Sequence, residues 1–244
     1  MNHPDFSKLS AIFINCTLKK SPEKSHTSTL MSVSREIMEK EGVKTEEIRF
    51  IDEEVATGIY PDMTKHGWKK DDWSKIFKKI MSADILVIGT PIWLGEKSSQ
   101  AQKLIERLYA MSGEMNEKGQ YIFYGKVGGC VITGNEDGIK HCAMGILYSM
   151  QHVGFSLPPQ ADCGWIGEAG PGGSFGDKEF NGEKFDPPLG FDNNFTKRNT
   201  TFMTYNLLHL AHILNKNAGY SPYGNSRKDW DDGKRWNFEN PEYR

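Results

Sequence analysis

What this 244-residue chain lacks narrows its function before any motif is considered. It has four cysteines, Cys16, Cys130, Cys142 and Cys163, and no two of them make a CxxC pair. That spacing argues against a zinc ribbon, an iron–sulfur cluster or a thioredoxin-type couple, and leaves buried, reduced thiols as the expectation. Its seven histidines form no HExxH; His209 and His212 could share a helix face, but without a third ligand they read as ordinary helix residues. No apolar run approaches the ~18–20 residues needed to span a bilayer. Neither charge dominates: 30 Lys and Arg face 32 Asp and Glu, for a net −2. That balance argues against a nucleic-acid or polybasic membrane partner. Residues Met1 to Ser10 are polar and include Pro4 and Asp5, unlike a signal peptide, so a soluble, cytoplasmic protein is expected. With 37% hydrophobic and 25% charged residues, the chain can build a core and is not expected to be disordered.

What is present alternates in type. Leu9 to Asn15 is near-continuously apolar, as in a strand covered on both faces. Leu30, Val33 and Ile37 then fall at helical spacing, and Gly42 ends that helix. Thr45 to Ile51 reads as a weaker strand, followed by a charged, irregular stretch from Asp52 to Lys70. Asp71 or Asp72 caps a helix with Trp73, Ile76, Phe77 and Ile80 on one face. Ile85 to Ile88 is the most strand-like run, and a helix after Gly95 carries Ala101, Leu104, Ile105 and Leu108 inward. Val127 to Thr133 is a further strand, and a helix follows from Gly138 to His152. Val153-Gly154-Phe155 is expected to begin the last strand. Residues 158–197 are rich in Gly, Pro and Asp, and a loop that long is usually functional or an interface. A final helix, Arg198 to Asn217, offers Phe202, Tyr205, Leu208 and Leu214 to the core. The tail contributes Tyr223, Trp230, Trp236, Phe238 and Tyr243. Five strands alternating with helices predict an α/β fold with an open, doubly wound parallel sheet. Ligands in such sheets bind beyond the carboxyl ends of the strands, which selects three loops.

The first loop has no GxGxxG and no GxxxxGK[ST], but it is rich in hydroxyls: Thr17, Ser21, Ser25, Thr27, Ser28 and Thr29. Hydroxyls and N–H groups at a helix N-terminus suit a phosphate dianion, although a plain Ser N-cap needs only one of them. The second loop, Thr90-Pro91-Ile92-Trp93-Leu94-Gly95, follows the best strand and leads to Ser98, which opens a helix. A proline turn beside an aromatic gives a flat apolar surface edged by backbone N–H groups, suited to a ring with acceptors on its rim. The third loop is Thr133-Gly134-Asn135-Glu136-Asp137-Gly138. Nothing in the chain makes a Ser–His–Asp triad or a carboxylate dyad.

The stretch Thr90-Pro91-Ile92-Trp93-Leu94-Gly95-Glu96-Lys97-Ser98 resembles the T-P-x-Y/W-x-G-x-x-S pattern of flavodoxin-like NAD(P)H-dependent FMN reductases and multimeric quinone reductases. The first loop is similar to that family's phosphate loop, with Thr17 for the first hydroxyl, Lys19 for the basic residue, and Ser25, Thr27 and Leu30 at later positions. It departs from the pattern in Cys16, which replaces a glycine, and in its greater length. The third loop resembles the loop that lies beside the isoalloxazine.

The resemblance covers Leu9 to Phe155 and the last helix, and it implies a sheet of order 2-1-3-4-5. It implies a domain over 1–219 with an insertion at 158–197, followed by a tail at 220–244. It also implies FMN as cofactor and NADH or NADPH as hydride donor, with no metal and no catalytic side chain. Thr17, Lys19, Ser25, His26, Thr27 and Ser28 would then hold the phosphate. Thr90 and the backbone from Pro91 to Gly95 would line the pyrimidine side, with Trp93 against the ring. Thr133, Gly134, Asn135, Asp137 and Gly138 would approach the dimethylbenzene or ribityl region. Trp165 is either a second aromatic over the flavin or a loop anchor.

The expected activity is FMN-dependent hydride transfer from NAD(P)H to a quinone, flavin or similar small acceptor, in a homodimer or homotetramer. A flavodoxin-type electron carrier is the alternative within the fold, but carriers are shorter and more acidic. A receiver-like regulatory module is disfavoured, because Asn15-Cys16 stand where a receiver needs acidic residues.

Overall fold

The computed structural model describes residues 3–170 and 172–236; Pro171, and Phe238 and Tyr243 of the aromatic tail, lie outside the described residues. The chain runs β1 (Ser10–Asn15), α1 (His26–Lys40), β2 (Lys44–Arg49), α2 (Trp73–Ser82), β3 (Ile85–Trp93), β4 (Glu96–Lys97) and α3 (Ser99–Tyr109). It continues through β5 (Val127–Gly134), α4 (Ile139–Val153), β6 (Asp162–Ile166), β7 (Glu179–Phe180), β8 (Glu183–Lys184), α5 (Asn194–Lys216) and α6 (Arg227–Asp231). The main strands are parallel in the order β2-β1-β3-β5-β6, and β4 turns back antiparallel on the end of β3. The order is the expected one, with β5 and β6 as its fourth and fifth members. This strand order is that of a flavodoxin-like α/β fold.

The central strands β1, β3 and β5 are largely apolar because both sheet faces are covered there, and their period of two sorts residues between two cores. Ile12, Ile14, Leu86, Ile88, Cys130 and Ile132 pack with α2, α3 and α4, through Ile76, Leu104 and Ile146 among others. Phe13, Ile85, Val87 and Val131 face the other way, onto Leu30 and Met31 of α1 and Leu207 and Leu208 of α5. Burying each such side chain contributes about 1.5–3 kcal/mol. Among the described residues no helix is long and apolar enough to cross a membrane.

Three expectations are corrected. Val153-Gly154-Phe155 does not begin a strand. Val153 closes α4, and Gly154 takes φ 117° as its left-handed cap. After a single parallel bridge, Val127 to Ser156, the imino residues Pro158 and Pro159 cannot extend a ladder. The fifth strand is therefore Asp162–Ile166, inside the stretch expected to be irregular. Phe202 is not a core residue but lies 47% exposed, one position away from the buried Met203. The helix carrying it begins at Asn194, because Asn193 caps it by accepting the Thr196 N–H.

Candidate functional site

The three selected loops meet at the carboxyl end of the sheet around a cleft of about 450 Å3. In the first loop, Ser25 is the N-cap of α1, its Oγ accepting the Ser28 N–H at 3.2 Å. The N–H groups of His26 and Thr27, in the same first turn, donate to no other described residue. They are the open donors that every helix start leaves, and both residues line the cleft together with Thr17 and Lys19. Ser25 and Ser28 do not line it. Ser25 is buried, and the Ser28 hydroxyl donates to Glu47 at 2.7 Å. Their hydroxyls serve the loop's own scaffold.

The second loop is a hairpin. Trp93 pairs with Glu96, and the two residues between them, Leu94 (φ 53°) and Gly95 (φ 76°), both take the positive φ of a two-residue type I′ turn. Pro91, Ile92 and Trp93 face the cleft, whereas the Leu94 side chain is 92% exposed. The Leu94 N–H donates to Glu136 Oε1 at 2.6 Å. Thr90 is fully buried; its Oγ1 accepts the Ser98 N–H, and the Ser98 hydroxyl donates to the Cys16 carbonyl at 2.6 Å. This chain of bonds fixes the second loop to the first.

From the third loop Thr133, Gly134, Asn135 and Glu136 line the cleft, while Asp137 and Gly138 stand behind it. The hydroxyls of Thr133 and Thr27 meet at 2.7 Å across the floor. Gly138 lies at φ 140°, and a Cβ there would come within 2.7 Å of the Gly95 carbonyl oxygen. Only glycine lets the second and third loops approach so closely.

The wall opposite comes from the segment after β6. Trp165 lines the cleft and also packs edge-on against Phe175, which anchors the loop that follows it. Ser174 and Phe175 line the cleft beside it. Residues 167–170 and 172–176 form a glycine-rich strap tied on two sides. Asn135 Nδ2 donates to the Gly172 and Gly173 carbonyls at 2.8 and 3.0 Å. On the other side His26 Nδ1 meets the Phe175 carbonyl at 2.9 Å, and Lys24 pairs with Asp177 at 2.9 Å. Sequence reasoning does not pick out Glu136 or the strap residues as site residues. The density of glycine is the signal available for the strap, and the position of Glu136 within the third selected loop is the signal available for it.

Among the described residues no cysteine lines the cleft. Burial pushes the thiol of Cys16, at the base of the first loop, far above its ordinary value, that of Cys163 to about 12 and that of Cys142 to about 11. Open helix-start amides and buried hydroxyls at one end suit a phosphate; aromatic and aliphatic walls further along suit a planar ring. The residues present therefore fit a phosphorylated flavin.

Comparison with known proteins agrees. Residues 11–162 match the family described as NADPH-dependent FMN reductase. The chain is 34% identical over 215 residues to the 8-demethyl-8-aminoriboflavin-5′-phosphate synthase of Streptomyces davaonensis, covering 84% of this chain and 78% of that protein. It is 53% identical over 219 residues to a protein of Mycobacterium bovis named divalent metal cation transporter MntH; the match covers 90% of this chain but spans only 31% of that protein. Among solved structures, RosB with bound 8-demethyl-8-formylriboflavin-5′-phosphate superposes with a TM-score of 0.76 at 31% identity, covering 95% of this chain and 90% of RosB.

Proposed function

The chain belongs to the NADPH-dependent FMN reductase family, and on that footing we propose that it takes hydride from NAD(P)H and reduces a quinone, a flavin or a similar small acceptor. It is an FMN-dependent oxidoreductase. The observation that carries the site assignment is the pair of open N–H groups at His26 and Thr27, placed on the same cleft as Trp93 and Trp165. Bound FMN supplies the redox chemistry, and the protein supplies position and electrostatics.

In this reading the α1 amides, Thr17 and Lys19 hold the phosphate, where dipole and charge both favour an anion. Pro91, Ile92 and Trp93 bound one side of the ring, and Gly134 and Asn135 the other. Trp165 of β6, together with Phe175 of the strap, excludes water from the ring face they cover. We propose further that the protein is a homodimer or homotetramer.

The test is anaerobic. Purified protein loaded with FMN is mixed with NADH and with NADPH, then with a panel of quinones, flavins and nitroaromatics. Loss of the flavin absorbance band with one nicotinamide, restored by an acceptor, supports the reading. No reduction by either nicotinamide would move the protein to the electron-carrier class.

A second reading rests on the likeness to RosB, seen with a flavin altered at position 8. In it, the bound flavin 5′-phosphate is the substrate, and its dimethylbenzene edge is what reacts. Mass analysis of flavin recovered after aerobic incubation separates the two readings: unchanged FMN supports the reductase, and a mass change at the ring supports the second.

A further inference from the structure

We infer that Asn15 and Glu47 are the positioning residues that hold the first loop in its phosphate-binding form before any ligand arrives; this rests on the cleft reading above. Asn15 ends β1 and is fully buried, in register with Arg49 of β2 and Gly89 of β3. Every hydrogen-bonding position of its amide is in use. Oδ1 accepts the Thr17 N–H at 3.1 Å and the Ser25 hydroxyl at 3.4 Å; Nδ2 donates to Ser25 Oγ at 3.2 Å and to Glu47 Oε1 at 3.1 Å. One side chain thus fixes both ends of the loop: Thr17, where the chain leaves the strand, and Ser25, where it enters the helix.

Glu47 completes the device from the neighbouring strand. Its Oε1 also accepts the Ser28 hydroxyl at 2.7 Å, and its Oε2 takes Arg35 at 3.1 Å. A carboxylate behind a helix start would by itself compete with a phosphate for the positive end of the dipole. Here its acceptor sites are engaged by Asn15, Ser28 and Arg35, so it serves as an anchor on the side away from the cleft. A fully satisfied buried polar network rigidifies what it holds. The consequence is that the His26 and Thr27 amides are aimed without reorganisation, which lowers the ordering cost of binding.

The network touches only the phosphate end of the cleft, so it separates FMN from riboflavin. Dissociation constants for both are read from quenching of flavin fluorescence in the wild type, Asn15→Ala and Ser28→Ala. The wild type is expected to prefer FMN. Asn15→Ala is expected to lower that preference by about tenfold while riboflavin affinity stays within about twofold. Ser28→Ala, which removes one bond to Glu47 and leaves no large cavity, lowers it by about threefold and carries the test if Asn15→Ala does not fold. A general loss of packing weakens both ligands together and leaves the ratio in place. A wild-type preference that persists in the folded variants overturns the inference alone. Equal wild-type affinity for FMN and riboflavin overturns the phosphate site itself, and the inference with it.

Discussion

Glu136 Oε1 accepts the Leu94 N–H at 2.6 Å, joining the tip of the β3–β4 hairpin to the loop after β5. Leu94 sits at φ 53°, a conformation uncommon for a branched side chain, and its side chain makes almost no contact with the protein. What holds the tip is therefore polar: this bond, together with the close approach of Gly138 to Gly95.

Glu136→Ala removes the acceptor and leaves the Leu94 amide to water. The bond is charge-assisted but solvent-accessible, so its loss is expected to weaken flavin binding by about fivefold, roughly 1 kcal/mol. FMN and riboflavin should weaken alike, because in the proposed binding mode the hairpin flanks the ring rather than the phosphate. Fluorescence titration of both ligands checks this, and an unchanged affinity for either would mean that the hairpin tip has no part in holding the ring.

Much of this site was legible from sequence, and the reason is geometric. In a doubly wound sheet the loops after β1, β3 and β5 must converge, so Thr17, Thr27, Pro91, Trp93, Thr133 and Asn135 reach one cleft whatever their detailed contacts. The direction of individual side chains was not legible. Ser25 and Ser28 look like phosphate ligands in a string of hydroxyls, but Asn15 and Glu47, distant in sequence, turn them inward. The strap could not be placed either: glycines carry no hydrophobic period, and its ties to Lys24, His26 and Asn135 are pairings across the fold. Arg107 was invisible for the opposite reason, since a charged residue in an amphipathic helix is ordinarily read as outward.

Arg107 is in fact fully buried on α3. Its guanidinium donates to the carbonyls of Gly58, Tyr60 and Pro61 and pairs with Asp71 at 2.8 Å, while Asp71 accepts the N–H groups of Ala56, Met63 and Trp73. This pair is what orders the charged stretch between β2 and α2. Arg107→Met strands the Asp71 charge and three carbonyls, and is expected to cost about 3–5 kcal/mol. Arg107→Lys should recover little, because an ammonium cannot reproduce the planar fork. Urea denaturation measures the loss; a cost under about 1 kcal/mol would show that the stretch is ordered by other contacts.

The strap should respond to acid through Asp177. Burial raises the Asp177 carboxyl, but the bonds from Lys24 at 2.9 Å and from the Ser174 N–H at 2.8 Å outweigh it and hold the group below its ordinary value. A carboxyl lowered on folding contributes fully above its unfolded value of about 3.9 and loses that contribution as the pH falls through the folded value. Protection factors against hydrogen exchange over 167–170 and 172–177 should therefore be flat from neutrality down to about pH 4 and then fall relative to those of the rest of the sheet. In Asp177→Asn that additional step should vanish and exchange should be faster throughout. A strap that opens in Asp177→Asn with the same pH profile as the wild type would assign the acid response elsewhere.

The assembly prediction comes from one face of α4. His141, Met144, Tyr148 and His152 recur at helical spacing, and Met144 and Tyr148 are 65% and 67% exposed. Tyr109 of α3 stacks on His152 beside them, and His141 reaches Glu96 of the hairpin at 2.6 Å, so the face runs from the helix end to the mouth of the cleft. We propose this partly apolar, exposed face as the self-association surface; a two-fold arrangement would set it against its own copy. Light scattering should find the wild type as a dimer or tetramer at micromolar concentration. Tyr148→Glu and Met144→Glu place a charge at the centre of the face and should shift it to monomer with the fold intact by circular dichroism. Because the face ends at the hairpin, dissociation should also weaken flavin binding more than either substitution explains by its own distance from the cleft. A wild type that is monomeric and fully active, or variants that keep the wild-type mass, would place any self-association on a different surface.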